Sequence, residues 1–203
     1  MKCPLLLYRM RNKIFQFATG LNEEQTKKML LVFLAVAVFI LSAVFQIIYK
    51  ELQTVERTRD PNLVSPQMER KITDMTRGYP ITNMIPYISQ KDKTVAAYLV
   101  SIAKKESNWG KHVPVRNGKD CYNYWGFRMK TDYMGSSGHT CFKNPQQAVN
   151  IVSRRIDELV KVKKRDTPRE MAIWKCGSAC AYDKQVGKWI SDVNLYYKKL
   201  IYY

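Results

Sequence analysis

The sequence predicts a mainly α-helical domain with a small irregular or β-hairpin lobe, preceded by a single transmembrane helix. Three observations predict it. Residues 29–49 run for 21 residues without a charge. Further on, Ser65-Pro66, Asn144-Pro145 and Thr167-Pro168 each pair a capping residue with a proline suited to the first helical position. The stretches after Asn144-Pro145 and Thr167-Pro168 belong to the helical part proper, and between them and an earlier helix lies 111–141, rich in Gly, aromatic residues and Asn/Asp. A composition of 46% hydrophobic and 12% aromatic residues is that of a globular chain and excludes a disordered one.

The apolar run reads as a bilayer span, since a helix of that length at about 1.5 Å per residue is roughly 31 Å long. No second run of this kind follows, which argues against a multi-span transporter. Six basic residues precede the span (Lys2, Arg9, Arg11, Lys13, Lys27, Lys28), and Lys50, Arg57 and Arg59 follow it among acids. That asymmetry predicts a single-pass cell-membrane protein with its N-terminus in the cytoplasm and its C-terminal domain outside. A cleaved signal peptide is the rival reading, but the apolar core is longer than usual and Gln46 to Tyr49 offers no small-residue cleavage pattern. The expected division is 1–28 cytoplasmic, 29–49 transmembrane, 50–90 stalk and 91–203 globular domain.

Within the stalk, the polar stretch after Lys50 continues the membrane helix until Pro61 stops it. Ser65-Pro66 starts a short helix that Gly78-Tyr79-Pro80 ends, and Pro86 interrupts the next apolar stretch. In the domain, a first helix is predicted from near Asp92 to Trp109 with Gly110 at its C-cap. Asn144-Pro145-Gln146-Gln147 opens a second, running to about Lys164 and burying Ala148, Val149, Val152, Ile156, Leu159 and Val160. A third starts at Thr167-Pro168 and ends at Cys176-Gly177. The last, from about Lys184, aligns Val186, Trp189, Ile190, Val193, Tyr197 and Leu200 at helical spacing.

Cys3 is alone before the span, whereas Cys121, Cys141, Cys176 and Cys180 all come after it. Outside the membrane they predict two disulfides, Cys121–Cys141 and Cys176–Cys180, each closing a local loop. A zinc site from Cys141, Cys176, Cys180 and His139 is the alternative, with a loose ligand spacing. No metal or cofactor is expected.

Glu106 stands out. Leu99, Ile102, Ala103 and Glu106 share one face of the first helix, which sets a carboxyl beside the apolar stripe, in the last turn where the helix dipole disfavours negative charge. Both effects favour the protonated form that a general acid requires. At the edge of such a stripe a Glu can equally pair with a neighbouring Lys or Arg. The surroundings argue for chemistry: Glu106-Ser107-Asn108-Trp109-Gly110 leads directly into an aromatic, polar section able to line a cleft.

This stretch, AKKESNWGKH, and the later YNYWGFR resemble the peptidoglycan glucosaminidases and lytic transglycosylases of the lysozyme superfamily. The family pattern is a helix ending in Glu-Ser-x-Trp-Gly, met here by Glu106, Ser107, Trp109 and Gly110, and then an Asn-x-Phe-Gly-Ile-Lys-like segment, met by Asn123 to Arg128. Phe142 and the helix from Asn144 match the next family segment, so the resemblance covers about residues 93–200. The Gly-Leu-Met-Gln-type segment of the transglycosylases is absent, and Trp189 stands where the glucosaminidases tend to have Tyr. These departures bear on the bond cut more than on the fold.

The resemblance implies an α+β lysozyme-like domain that cleaves β-1,4 bonds of peptidoglycan glycan strands, with Glu106 as general acid. A second carboxylate would come from Asp132 or Asp120, Asp132 being favoured for its place at a Gly-rich tip. It is dispensable where the substrate's own N-acetyl group or a sugar hydroxyl attacks the anomeric carbon. Trp109, Tyr122, Tyr124, Trp125 and Tyr133 are candidates for stacking on sugar rings, with Asn123 beside them, whereas Phe127, Trp174 and Trp189 read as core. The part beyond the span carries 28 Lys+Arg and 15 Asp+Glu, which suits anionic envelope polymers and lipid headgroups. Nucleic acid is not the expected partner, although charge and aromatics alone would allow it. A catalytically inactive glycan-binding or scaffold protein of an envelope or secretion complex is the alternative to an enzyme.

Overall fold

A computed structural model describes residues 23–58, 60–177, 180 and 185–202. The N-terminal residues 1–22, with Cys3 and four of the six basic residues that orient the span, lie outside the described residues. The chain divides into two units between Arg59 and Asp60. The first contains α1, Glu23–Thr58, a continuous helix that opens with Glu23 and Glu24 where the helix dipole favours acids. Its segment Glu23–Leu52 is long and apolar enough to cross a membrane, with the composition of a membrane anchor or a signal sequence. Its large apolar side chains are exposed, Phe39 at 73%.

The second unit is mainly helical, and it begins earlier than expected. Residues 60–90 are part of the globular unit rather than a stalk. Helix α2, Pro66–Thr76, is capped by the Ser65 hydroxyl accepting from the Met68 N–H at 3.1 Å. It buries Met68 and Ile72, and the following 3-10 turn Pro80–Met84 and short α3, Ile85–Ile88, bury Ile81, Met84, Ile85 and Ile88. Met68, Ile72 and Thr76 lie four residues apart on one buried face of α2, with Val64 buried just before its cap, and burying this apolar surface is worth more than leaving it in water on a spacer.

Helix α4, Lys93–Ser107, starts at Asp92, whose carboxylate accepts from the Thr94 N–H. It is the centre of the unit, packing mainly against α7, Val186–Ile201, and also against α5, Pro145–Asp157. Val95 to Ala103 are buried without interruption. Its C-cap is Asn108 in the left-handed region at φ 51°, followed by Trp109 at φ 57°, so the helix stops two residues before the expected Gly110. Helix α5 has the expected Asn144 cap, accepting from the Gln147 N–H at 2.8 Å, while Gln147 returns a bond to the Lys143 N–H. Beyond Asp157 the helix continues as a π-helical turn, Glu158–Val162. Thr167 and Glu170 cap each other reciprocally, but a 3-10 turn, Glu170–Ala172, and short α6, Ile173–Cys176, replace the expected long helix. Helix α7 buries Trp189, Val193, Tyr197 and Leu200; the expected start at Lys184 lies outside the described residues.

The section 111–141 forms the predicted small lobe. Strands β1, Val115–Arg116, and β2, Lys119–Asp120, pair antiparallel around Asn117-Gly118, both at positive φ (51° and 73°), the conformation that a two-residue hairpin turn demands. The Cys121–Cys141 disulfide closes the lobe, and Cys176–Cys180 forms the second bridge. This occupies the three thiolates that the zinc alternative requires.

Candidate functional site

Glu106 projects from the last turn of α4 into a groove made of two clefts that meet at it. The first, of about 450 Å³, is lined by Glu106, His112, Pro114, Asn123, Ser136 and Ser137 among others, on the lobe side. The second, of about 260 Å³, is lined by Glu106, Lys105, Arg128, Trp174, Lys175 and Trp189 among others. Gly126 and His139 belong to both.

The carboxyl is not buried as the helical stripe suggested. Leu99, Ile102 and Ala103 are fully buried, but Glu106 is exposed. The stripe reaches the end of the core one turn before it, so the side chain emerges into the groove instead of into apolar packing. The Trp189 indole N–H donates to Glu106 Oε1 at 2.6 Å, which orients the carboxyl, and among the described residues nothing donates to Oε2. Gly126, at φ 63°, clears the space next to it: a Cβ there would lie 3.1 Å from Oε2.

The polar residues of the two sequence motifs build the groove wall. Ser107 is buried, and its hydroxyl accepts from the Gly110 N–H at 2.9 Å and lies 2.8 Å from the Tyr124 carbonyl, tying the end of α4 to the 123–127 segment. Asn123 donates to the Phe127 and Thr140 carbonyls, both at 2.8 Å, and accepts from the Phe127 N–H at 2.9 Å. All its bonds hold the loop in shape, while its side of the loop faces the first cleft.

Neither candidate second carboxylate is brought to Glu106. Asp120 accepts from the Tyr122 N–H at 2.6 Å and the Tyr124 hydroxyl at 3.0 Å, as a turn-holding residue does, and Asp132 is exposed. Neither lines either cleft. The expected sugar-stacking aromatics are also placed elsewhere. Trp109, Tyr124 and Trp125 are core residues, and the two indoles donate to the Val100 and Leu99 carbonyls of α4. Burial pushes the Tyr124 hydroxyl well above its ordinary pKa, with the Asp120 carboxylate adding to the shift. Of these three only Trp125 reaches a cleft, along its floor. Tyr122 is half-buried against the core, and Tyr133 is exposed under the Arg116 guanidinium, 4.2 Å from its ring centroid; neither lines the groove.

The residues that do face Glu106 were not all legible. Trp189 is core as expected and also holds the carboxyl through its indole N–H, whereas Trp174, expected in the core, is half-buried and walls the second cleft, its indole N–H on the Trp125 carbonyl at 2.9 Å. Gly126 was visible in the second motif without its role. Nothing in the sequence pointed to His112, Ser136 or Ser137, and His139 entered only as a ligand of the zinc alternative; all four reach the groove from the lobe. Lys105 is engaged: it and Lys188 donate to Asp192 Oδ2 at 2.7 and 2.8 Å. The bond from Lys105, then that from Lys188, holds the Asp192 carboxyl below the usual range.

The fold and site together define a mainly helical, disulfide-bonded domain in which the Glu106 side chain stands where two open clefts meet. No protein-family model, curated protein or solved structure matches this chain.

Proposed function

We propose that this chain is a membrane-anchored peptidoglycan glycosidase with a lysozyme-like domain outside the cytoplasmic membrane, cleaving β-1,4 bonds with Glu106 as general acid. One observation carries the reading. A carboxyl held by a single indole N–H, with its other oxygen open, stands where two clefts meet, which is where the scissile bond of a strand occupying both would lie. The two motifs shared with the glucosaminidases and the exported disulfide-bonded domain support it.

In this reading Glu106 gives its proton to the glycosidic oxygen as the C–O bond breaks. With no second carboxylate lining either cleft among the described residues, the electron pair reaching the anomeric carbon comes from the substrate, through its N-acetyl carbonyl or a sugar hydroxyl. Glu106, then a carboxylate, takes a proton from the attacking hydroxyl or from the water that opens the intermediate. The missing partner carboxylate is also the one observation favouring a catalytically inactive glycan-binding or scaffold protein.

Mass spectrometry of soluble products from purified peptidoglycan, incubated with the oxidised full chain, tests the proposal. Release of disaccharide-containing fragments is expected, with reducing ends if water completes the reaction and anhydro ends if a sugar hydroxyl does. A folded protein that releases nothing would leave the binding role.

A further inference from the structure

The two clefts differ in charge. Apart from Glu106, the first is lined by no Asp, Glu, Lys or Arg; His112, His139, Asn123, Ser136 and Ser137 give it a polar, neutral surface. The second has Lys105, Arg128 and Lys175 on its lining and Glu106 as its only acid. An adjoining hollow over Trp174 adds Arg155 to Arg128 and Lys175 and contributes no acid. Three of these cations are already engaged: Lys105 with Asp192 and Arg155 with Glu158, each at 2.7 Å, and Lys175 in an interaction of its own. Arg128 is exposed and makes no ion pair among the described residues, so its guanidinium keeps the planar donor fork that suits a carboxylate.

Trp174 supplies the other half of a sugar subsite. It is half-buried, fixed through its indole N–H, and stacked on Phe127 at a centroid distance of 5.7 Å, so a rigid aromatic surface stands beside the guanidinium. A bare phosphate needs no such surface, whereas a carboxylated sugar ring uses both.

We infer that the groove distinguishes its two ends by charge: a carboxylate-bearing sugar occupies the half beside Trp174 through Arg128, and a neutral sugar occupies the half beside the lobe. This rests on the glycan-groove reading above and deepens it. In a strand freed of its stem peptides, where neutral sugars alternate with sugars bearing a free carboxylate, only one register satisfies both halves, and that register decides which of the two alternating linkages meets Glu106. Arg128 is then a specificity residue, distinct from the proton donor.

The test is calorimetric binding to the full chain in detergent, with Glu106→Gln in every arm to prevent turnover. One probe is a tetrasaccharide of alternating N-acetylglucosamine and N-acetylmuramic acid with free carboxylates; the other is the same tetrasaccharide with its carboxylates converted to amides. The acid form is expected to bind about tenfold tighter at low salt. Added Arg128→Gln closes the gap by weakening the acid form far more than the amide form, and Arg128→Lys restores part of it. Equal binding of the two forms, a gap that survives Arg128→Gln, or no binding of either overturns the inference. Cleavage of peptidoglycan by the unmutated chain is scored separately. Cleavage without a charge gap removes this inference and keeps the glycosidase, whereas an Arg128-dependent gap without cleavage removes the glycosidase and keeps the subsite.

Discussion

On its helical side the groove is backed by α4, where Val95 to Ala103 are buried without a break and α7 packs along them. On its lobe side the hairpin leaves Val115 44% exposed, and the segment is held by turn residues, side-chain bonds to backbone and the Cys121–Cys141 bridge. One wall is positioned by hydrophobic burial, the other by local chemistry that fixes few residues at a time. Glu106 belongs to the first wall and the neutral cleft it faces belongs mostly to the second. The proposed proton donor is therefore seated on the stable side, and the lobe residues that face it belong to the part held most lightly.

The largest break in that comparison comes from the disulfides. Cys121→Ser/Cys141→Ser opens a bridge spanning 20 residues, and loss of about 3 kcal/mol is expected from thermal or denaturant unfolding. Far-UV circular dichroism should stay helical below the transition while glycan cleavage falls sharply. Cys176→Ser/Cys180→Ser, spanning only 4 residues, should cost clearly less. Equal losses for the two pairs would mean that the lobe is not the more lightly held wall.

A smaller effect separates strain from chemistry. Gly126→Ala meets a φ of 63° and sets a methyl 3.1 Å from Glu106 Oε2. It should cost about 1–2 kcal/mol of stability and about tenfold to a hundredfold of cleavage rate, by displacing the carboxyl. Gly118→Ala carries a similar strain, at φ 73°, with nothing within 4 Å of the new methyl. Its stability loss should be comparable and its rate close to wild type. A comparable rate loss in both variants would remove the role given to Gly126.

The smallest effect lies on the helical wall. Because the folded-state pKa of Asp192 is lowered by Lys105 and Lys188, its contribution is present above the ordinary Asp range and is lost as pH falls through the lowered value. Asp192→Asn should therefore cost no more than about 1 kcal/mol at neutral pH for this partly exposed cluster. The difference from wild type should shrink as pH falls from the ordinary Asp range through the lowered value. A constant difference across that range would show that packing, not charge, was lost.

The legibility of each feature in the sequence depends on the range of the contacts that make it. Caps and start signals depend on residues within four positions of one another, and Ser65, Asn144 and Thr167 all make the capping bonds their context predicts. Both disulfides join near neighbours in sequence and were paired correctly. The supposed stalk failed because its prolines read as punctuation of a spacer, although Met68 and Ile72 stand at helical spacing and are buried, as is Val64 before the cap. Glu106 was found, but its exposure was not: periodicity says which face a residue shares and not where the core beneath that face ends. Trp189, 83 residues away, holds its carboxyl, and no local pattern encodes a contact of that range. The aromatic candidates failed for a related reason, since Trp109 and Trp125 point back into α4 and turn their indoles to its carbonyls.

The measurement that tests the central claim most directly is the steady-state rate of peptidoglycan cleavage by Glu106→Gln and Asp132→Asn, set against wild type. A sole proton donor predicts that Glu106→Gln lowers kcat/KM by about 10²–10⁴ while Asp132→Asn stays within about twofold. Retained cleavage in Glu106→Gln, or an equal collapse in Asp132→Asn, would contradict the account.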